Sequence, residues 1–143
     1  MSKTYRTTRR VEFRDTDAAG IAHFTAFFAY MEEIEHEFLR SLGLSVIEHD
    51  EQGTVSFPRV SAHCDYTGAV RFEDVMEVEL AVGRLGQKSV AYHFVFSHEG
   101  RDVAAGQITC VCCRLTAGER PKSMPIPRAF AAQLREYAEQ LDV

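Results

Sequence analysis

A chain of 143 residues that is 45% hydrophobic and 26% charged has the length of one domain and can bury a core without disulfide or metal staples. Its 16 Lys and Arg against 21 Asp and Glu leave a net charge of −5, which argues against a nucleic-acid-binding surface. Its evenly spread apolar content argues against disorder.

The basic N-terminus runs into Val11-Glu12-Phe13 rather than an apolar stretch, so no cleaved secretory signal is expected. Residues 4–13 are rich in Thr, Tyr, Val and Phe and read as a first strand, ended by the turn-forming cluster Asp15-Thr16-Asp17-Ala18-Ala19-Gly20. Phe24, Phe27, Phe28, Met31, Ile34, Phe38, Leu39 and Leu42 then recur at spacings of three and four, one broad apolar stripe of a long helix that Gly43 stops. Glu35 falls inside that stripe, where a carboxylate requires a partner, at the site or at a subunit interface. A strand over 55–66 carries Pro58, a sign of an edge or an irregularity. Met76, Val78, Leu80 and Val82 alternate with Glu77, Glu79 and Ala81, which predicts a half-buried strand. Gly83–Gln87 reads as a hairpin connection, Val90–Phe96 as the next strand, His98–Asp102 as a turn and 103–115 as a further strand.

Three prolines, at 121, 125 and 127, precede a short C-terminal helix over about 127–141. No run approaches the roughly 20 apolar residues of a membrane span. Cys64, Cys110, Cys112 and Cys113 have neither zinc-knuckle nor disulfide-frame spacing, so they read as reduced core cysteines and point to a cytoplasmic protein. The six histidines show no ligand spacing, and no metal site is expected. Residues 1–143 therefore form a single α+β domain, one antiparallel sheet packed around one long helix. Val90, Tyr92, Phe94 and Phe96 share one face of their strand while Ala91 and Val95 occupy the other. A single helix covers one face only, so a second subunit is expected over the rest.

The segment Arg14–Phe24 places two carboxylates, a glycine and a histidine before the helix N-terminus. The free N–H groups there favour a developing oxyanion, and a nearby carboxylate can serve as nucleophile or general base on the polarised carbonyl. Spacing alone is equally compatible with Asp15 and Asp17 capping a turn.

Val11-Glu12-Phe13-x-Asp15-x-Asp17-x-Ala19-Gly20-Ile21-x-x-Phe24, followed by an aromatic-rich helix ending in Leu-Gly, resembles the 4-hydroxybenzoyl-CoA thioesterase group of the hotdog superfamily and its YbgC-type acyl-CoA thioesterase relatives. The likeness continues through Cys64-Asp65-Tyr66, Arg71-Phe72-Glu73-Asp74 and Leu85-Gly86-Gln87-Lys88-Ser89. It implies a hotdog fold, a five-stranded antiparallel sheet wrapped around a long central helix with a short C-terminal helix, assembled as a homodimer or homotetramer. It implies an acyl-CoA thioesterase that takes coenzyme A as part of its substrate and needs no cofactor. The family's catalytic carboxylate falls on Asp17 and its carbonyl-polarising backbone amide on Phe24; direct attack and activation of water both stay open. Asp15, Gly20, Phe27 and Tyr66 fall around the substrate, with Arg84, Lys88 and Ser89 for the CoA phosphates and Arg120 and Lys122 as alternatives. Three positions depart from the pattern. His23 stands where relatives carry Tyr or Trp and Phe24 where many of the YbgC type carry His, which leaves His23 as a catalytic histidine moved by one place, an acyl-pocket residue or a structural one. Glu35 stands where the YbgC type often carries Arg. The competing readings are a hotdog 3-hydroxyacyl-thioester dehydratase and a non-catalytic acyl-thioester binding module.

Overall fold

In the computed structural model, which describes residues 2–142, the chain runs β1 (Tyr5–Arg10), α1 (Ala26–Ser41), β2 (Ile47–Asp50), β3 (Gly53–Ser56), β4 (Arg59–Tyr66), β5 (Val75–Leu85), β6 (Ser89–His98), β7 (Arg101–Val111), β8 (Cys113–Leu115), β9 (Lys122–Ser123) and α2 (Arg128–Leu134). Five strands make one antiparallel sheet in the order β1-β5-β6-β7-β4. Met76, Val78, Leu80 and Val82 of β5 and Tyr92, Phe94 and Phe96 of β6 turn inward, where Phe27, Met31, Ile34 and Phe38 of α1 meet them. The two periods, 2.0 and 3.6, thus bring a strand face and a helix stripe together as one core. This is the α+β arrangement of sheet around helix that the sequence predicts.

Several boundaries differ, each for a local reason. β1 stops at Arg10, and Phe13–Asp15 form a 3-10 turn closed by a reciprocal bond between Glu12 and Asp15. The helix begins at Ala26 rather than Phe24, because His23–Thr25 form its capping turn. The strand expected over 55–66 is cut at Phe57-Pro58, where Pro58 has no N–H and offers only its carbonyl, to Val111 N–H (3.0 Å). The strand expected over 103–115 is cut at Cys112, whose N–H donates to Lys88 C=O (2.7 Å) while its C=O accepts from Met124 (2.9 Å). Beyond it β8 enters a second, small sheet, β2-β3-β8-β9. Gly83 lies inside β5, at a bulge between Val82 and Arg84, with the His93 ring packed where a Cβ would stand. The β6–β7 turn is the two-residue Glu99-Gly100, with φ of 50° and 78°, both left-handed as a tight primed turn requires. The C-terminal helix ends at Leu134; a 3-10 turn over Arg135–Tyr137 follows, and the tail then bridges to the β5 edge at Val82 and Leu85.

Glu35, 1% exposed, finds its partner in Arg59 at the start of β4. Arg59 Nη1 donates to Glu35 Oε2 (3.1 Å), to the Phe57 carbonyl (3.2 Å) and to Cys110 Sγ (3.0 Å), and Nη2 meets Glu35 Oε1. Burial pushes the Glu35 carboxyl up to about 7, with the Arg59 guanidinium pulling against it. A carboxyl raised in the folded state binds its proton more tightly there than in the unfolded chain. Its contribution is therefore fully present below the ordinary carboxylate range and is lost as pH rises toward 7. We expect the stability of the wild type relative to Glu35→Gln, measured by urea unfolding, to fall by about 2–3 kcal/mol between pH 4.5 and 7.5. A difference that is flat or rises with pH would contradict the raised carboxyl.

Candidate active site

The turn between β1 and α1 is built by its two carboxylates in different ways. Asp15 Oδ2 accepts from the Glu12 backbone N–H (2.9 Å) and from the Tyr30 hydroxyl on α1 (2.9 Å). Its backbone C=O accepts from His23 N–H (2.7 Å). Asp15 is a strut that ties the end of the first strand to the helix, and it faces away from the cleft described below. Asp17 closes the turn itself: its N–H donates to Ile21 C=O (2.9 Å) and its C=O accepts from Gly20 N–H (2.9 Å). Its Oδ1 accepts from Ala19 N–H (2.8 Å) and Ile21 N–H (3.5 Å), the local side-chain-to-backbone bond that suits Asp to turns. Among the described residues Oδ2 makes no hydrogen bond and is left for other work. Gly20 has φ +80°, a conformation in which a Cβ would be strained; its role is to make the turn, and it does not line the cleft.

Asp17 opens onto a cleft of about 220 Å³ lined by Ile21, Ala22, Phe24, Phe27, Tyr66, Gly68, Ala69 and Val70. Four of the residues singled out from the sequence, Asp17, Phe24, Phe27 and Tyr66, are thus brought together. The walls are aromatic: Phe27 meets Tyr66 edge-on at 5.4 Å and Phe96 at 5.2 Å. The Phe24 N–H lies just before the N-terminus of α1 and forms no hydrogen bond among the described residues. A free amide at a helix start is a ready donor to negative charge. Asp17 and Phe24 thus line one cleft, the first with a carboxylate oxygen free of hydrogen bonds and the second with a free backbone N–H. That pair can act on a carbonyl carbon and on its oxygen together.

The other predicted residues are placed elsewhere. His23 lies outside the cleft lining. Its Nδ1 accepts from Thr25 N–H (3.1 Å) and contacts the Thr25 hydroxyl (2.7 Å), and its ring stacks on Phe24 at 4.6 Å. Arg84 is ion-paired with Asp142 of the C-terminal tail. Lys88 is exposed and Ser89 half-buried at the β5–β6 hairpin. That hairpin sits at the far end of β6 from Phe96, so within one protomer it is roughly 25 Å from the cleft. Lys122 begins β9, in the small sheet, and Arg120 lies two residues before it. Arg59, the partner of Glu35, was not visible in the sequence, because only the fold brings positions 35 and 59 together. Among the described residues no three His, Cys, Asp or Glu side chains could hold a metal, and no helix is long and apolar enough to cross a membrane.

Residues 11–134 match the thioesterase-like superfamily. The chain is 30% identical over 136 residues to a 1,4-dihydroxy-2-naphthoyl-CoA hydrolase of Synechococcus elongatus, covering 94% of this chain and 98% of that protein. Among solved structures, a gentisyl-coenzyme A thioesterase superposes with a TM-score of 0.75 at 29% identity, over 92% of this chain and 99% of that one. A 1,4-dihydroxy-2-naphthoyl-CoA thioesterase from Synechocystis superposes with a TM-score of 0.82 at 23% identity, over 94% and 97%.

Proposed function

The chain belongs to the thioesterase-like superfamily, and from that premise we propose that it hydrolyses an aryl thioester of coenzyme A, with Asp17 as catalytic carboxylate and the Phe24 amide as oxyanion donor. The observation that carries this reading is the pairing, in one aromatic-walled cleft, of an unengaged Asp17 oxygen with an unengaged backbone N–H. The thioester oxygen would accept from Phe24 N–H, and the bond would strengthen as charge develops on that oxygen. Asp17 Oδ2 then either attacks the carbonyl carbon, expelling the CoA thiolate and leaving a mixed anhydride for water to cleave, or takes a proton from the attacking water. The bond from Ala19 N–H to Oδ1 fixes the carboxylate and leaves Oδ2 to react. Coenzyme A enters as substrate, and no cofactor is required by either route.

The acyl group is read from the walls and from relatives. Phe24, Phe27 and Tyr66 offer ring faces and edges to a flat acyl group, and the named relatives act on naphthoyl and gentisyl thioesters. Four cysteines without a disulfide fit a cytoplasmic protein.

A cleft of about 220 Å³ is smaller than the roughly 300–1,000 Å³ that small-molecule sites usually offer, and it opens beside β4. That strand is a free edge of the sheet, with Val60 61% exposed, and an unpaired edge of eight residues invites a second copy. Antiparallel pairing of two β4 strands sets the Arg59 end of one against the Tyr66 end of the other. The Lys88 hairpin lies at the Arg59 end, since Ser89 pairs with Val111 and Arg59 with Cys110. A homodimer would so carry the Lys88 of each copy toward the Asp17 cleft of the other, where the CoA phosphates can meet it. This arrangement restores the phosphate role of Lys88 that a single protomer denies it; a tetramer would join two such dimers.

Asp17→Asn keeps the shape of the side chain but can neither attack nor take a proton. We expect it to fold normally and to lose two to four decades of turnover on aryl-CoA substrates, about 3–5 kcal/mol of barrier. Retention of more than a tenth of the wild-type turnover would sink the assignment. Sedimentation at micromolar concentration should show a dimer or larger. A single 16.1 kDa species would remove the shared-site account.

A further inference from the structure

Beside the Phe24 N–H, one peptide group is held at both ends by a hydroxyl and a ring nitrogen that the chemistry above does not use. The Phe24 carbonyl accepts from the Tyr66 hydroxyl at 2.6 Å, and the N–H of the same peptide group, that of Thr25, donates to His23 Nδ1 at 3.1 Å. The adjoining peptide, which carries the Phe24 N–H, is held through its oxygen alone, by Ala26 N–H to His23 C=O at 2.9 Å. The two planes meet at the Phe24 α-carbon. The direction of the N–H there is set by two torsions, which are fixed only when both planes are fixed.

Each gripping side chain is itself held. The Tyr66 ring packs edge-on against Phe27 at 5.4 Å. Burial pushes its hydroxyl up to about 12, so it keeps its proton and remains a donor through the neutral range. The His23 ring stacks on Phe24 at 4.6 Å with its plane inclined 26°, and Nδ1 has a second contact, the Thr25 hydroxyl at 2.7 Å. Tyr66 comes from β4 and His23 from the turn before α1, so the grip joins the sheet to the helix entry.

We propose that Tyr66 and His23 are positioning residues for the reaction, clamping the Phe24–Thr25 peptide from opposite ends and so aiming the Phe24 N–H at the thioester oxygen. The inference rests on the reading of that amide as the oxyanion donor. Neither clamping bond is made to substrate, and the aim of the donor matters most when charge has developed on the oxygen. The clamp therefore acts on turnover and leaves ground-state binding almost unchanged. Removing an oxyanion donor outright costs about 10²–10³ in turnover, so a donor that is present but poorly aimed should cost about tenfold.

The test is steady-state kinetics with benzoyl-CoA as probe, on Tyr66→Phe, His23→Phe and His23→Asn. Tyr66→Phe keeps the ring against Phe27 and deletes only the hydroxyl. His23→Phe keeps a ring to stack on Phe24 but has no acceptor. His23→Asn loses the ring but can accept from the N–H two residues on, as Asn does in an Asx turn. Tyr66→Phe and His23→Phe should each lower kcat about tenfold with KM within about twofold, and His23→Asn should return kcat to near the wild-type value. Normal turnover in Tyr66→Phe and His23→Phe overturns the clamp, as does a raised KM at unchanged kcat. So does a His23→Asn variant as slow as His23→Phe, since the ring and not the acceptor would then matter. Asp17→Asn, assayed alongside, separates the two levels. If it remains active, the site and the clamp fall together; if it is dead while the ring variants are normal, only the clamp falls.

Discussion

The close approach of α1 to the sheet is the constraint on which the other features depend. Gly106 of β7 lies under Met31, and a Cβ there would collide with Met31 Sδ and stand 3.1 Å from the His63 carbonyl of β4. A bare backbone at that point lets the helix lie against the strands, and Phe27, Ile34 and Phe38 then bury on either side. With the helix seated, its N-terminus is delivered to the Tyr66 end of β4 and its middle to the Arg59 end. Burial of apolar surface drives the seating, since each fully covered Phe, Leu or Ile contributes about 1.5–3 kcal/mol. Polar contacts set its register: Glu35 with Arg59, Asp15 with Tyr30, and Glu37 with Tyr5 and Arg9 of β1.

That register separates the two carboxylates of the turn into different jobs. Asp15 has its Oδ2 committed to Glu12 and Tyr30, which makes it part of the frame. Asp17 commits only Oδ1, to the backbone of its own turn, and keeps Oδ2 available at the cleft. A catalytic carboxylate needs this combination, because it must be held firmly enough to be aimed and bare enough to react. The same economy runs through the helix entry. One peptide N–H is left unpaired, while its neighbours at Thr25 and Ala26 are satisfied by His23.

Much of this was legible in the sequence. The stripe from Phe24 to Leu42 and the alternation in Met76–Val82 each bury one face, and such faces leave a period in the chain. The Asp17 turn was legible because turn chemistry is local: Asp, two small residues and a Gly in the left-handed region. What depended on distant parts of the chain was not. The small sheet is made of strands of two to four residues, too short to carry a period. The continuous apolar run through Val111, Cys112 and Cys113 concealed a change of sheet at Cys112, since Cys110, Cys112 and Cys113 are all buried across the break. That Glu35 required a partner followed from its place in the stripe, but Arg59 as that partner follows only from strand register. The place of His23 turned on which atoms its Nδ1 meets, and the remoteness of Lys88 from Asp17 turned on the length of β6. Neither quantity is written in local spacing.

The central claim is that the reacting carbonyl sits between Asp17 and the Phe24 amide. Its most direct test is backbone amide NMR of the wild-type protein titrated with an unreactive aryl-CoA analogue in which a ketone replaces the thioester. The account predicts that the Phe24 amide proton moves downfield more than any other, as a free N–H does when it gains a carbonyl acceptor, with smaller shifts at Ile21, Phe27 and Tyr66. Saturable binding that shifts residues elsewhere and leaves the Phe24 amide in place would contradict it.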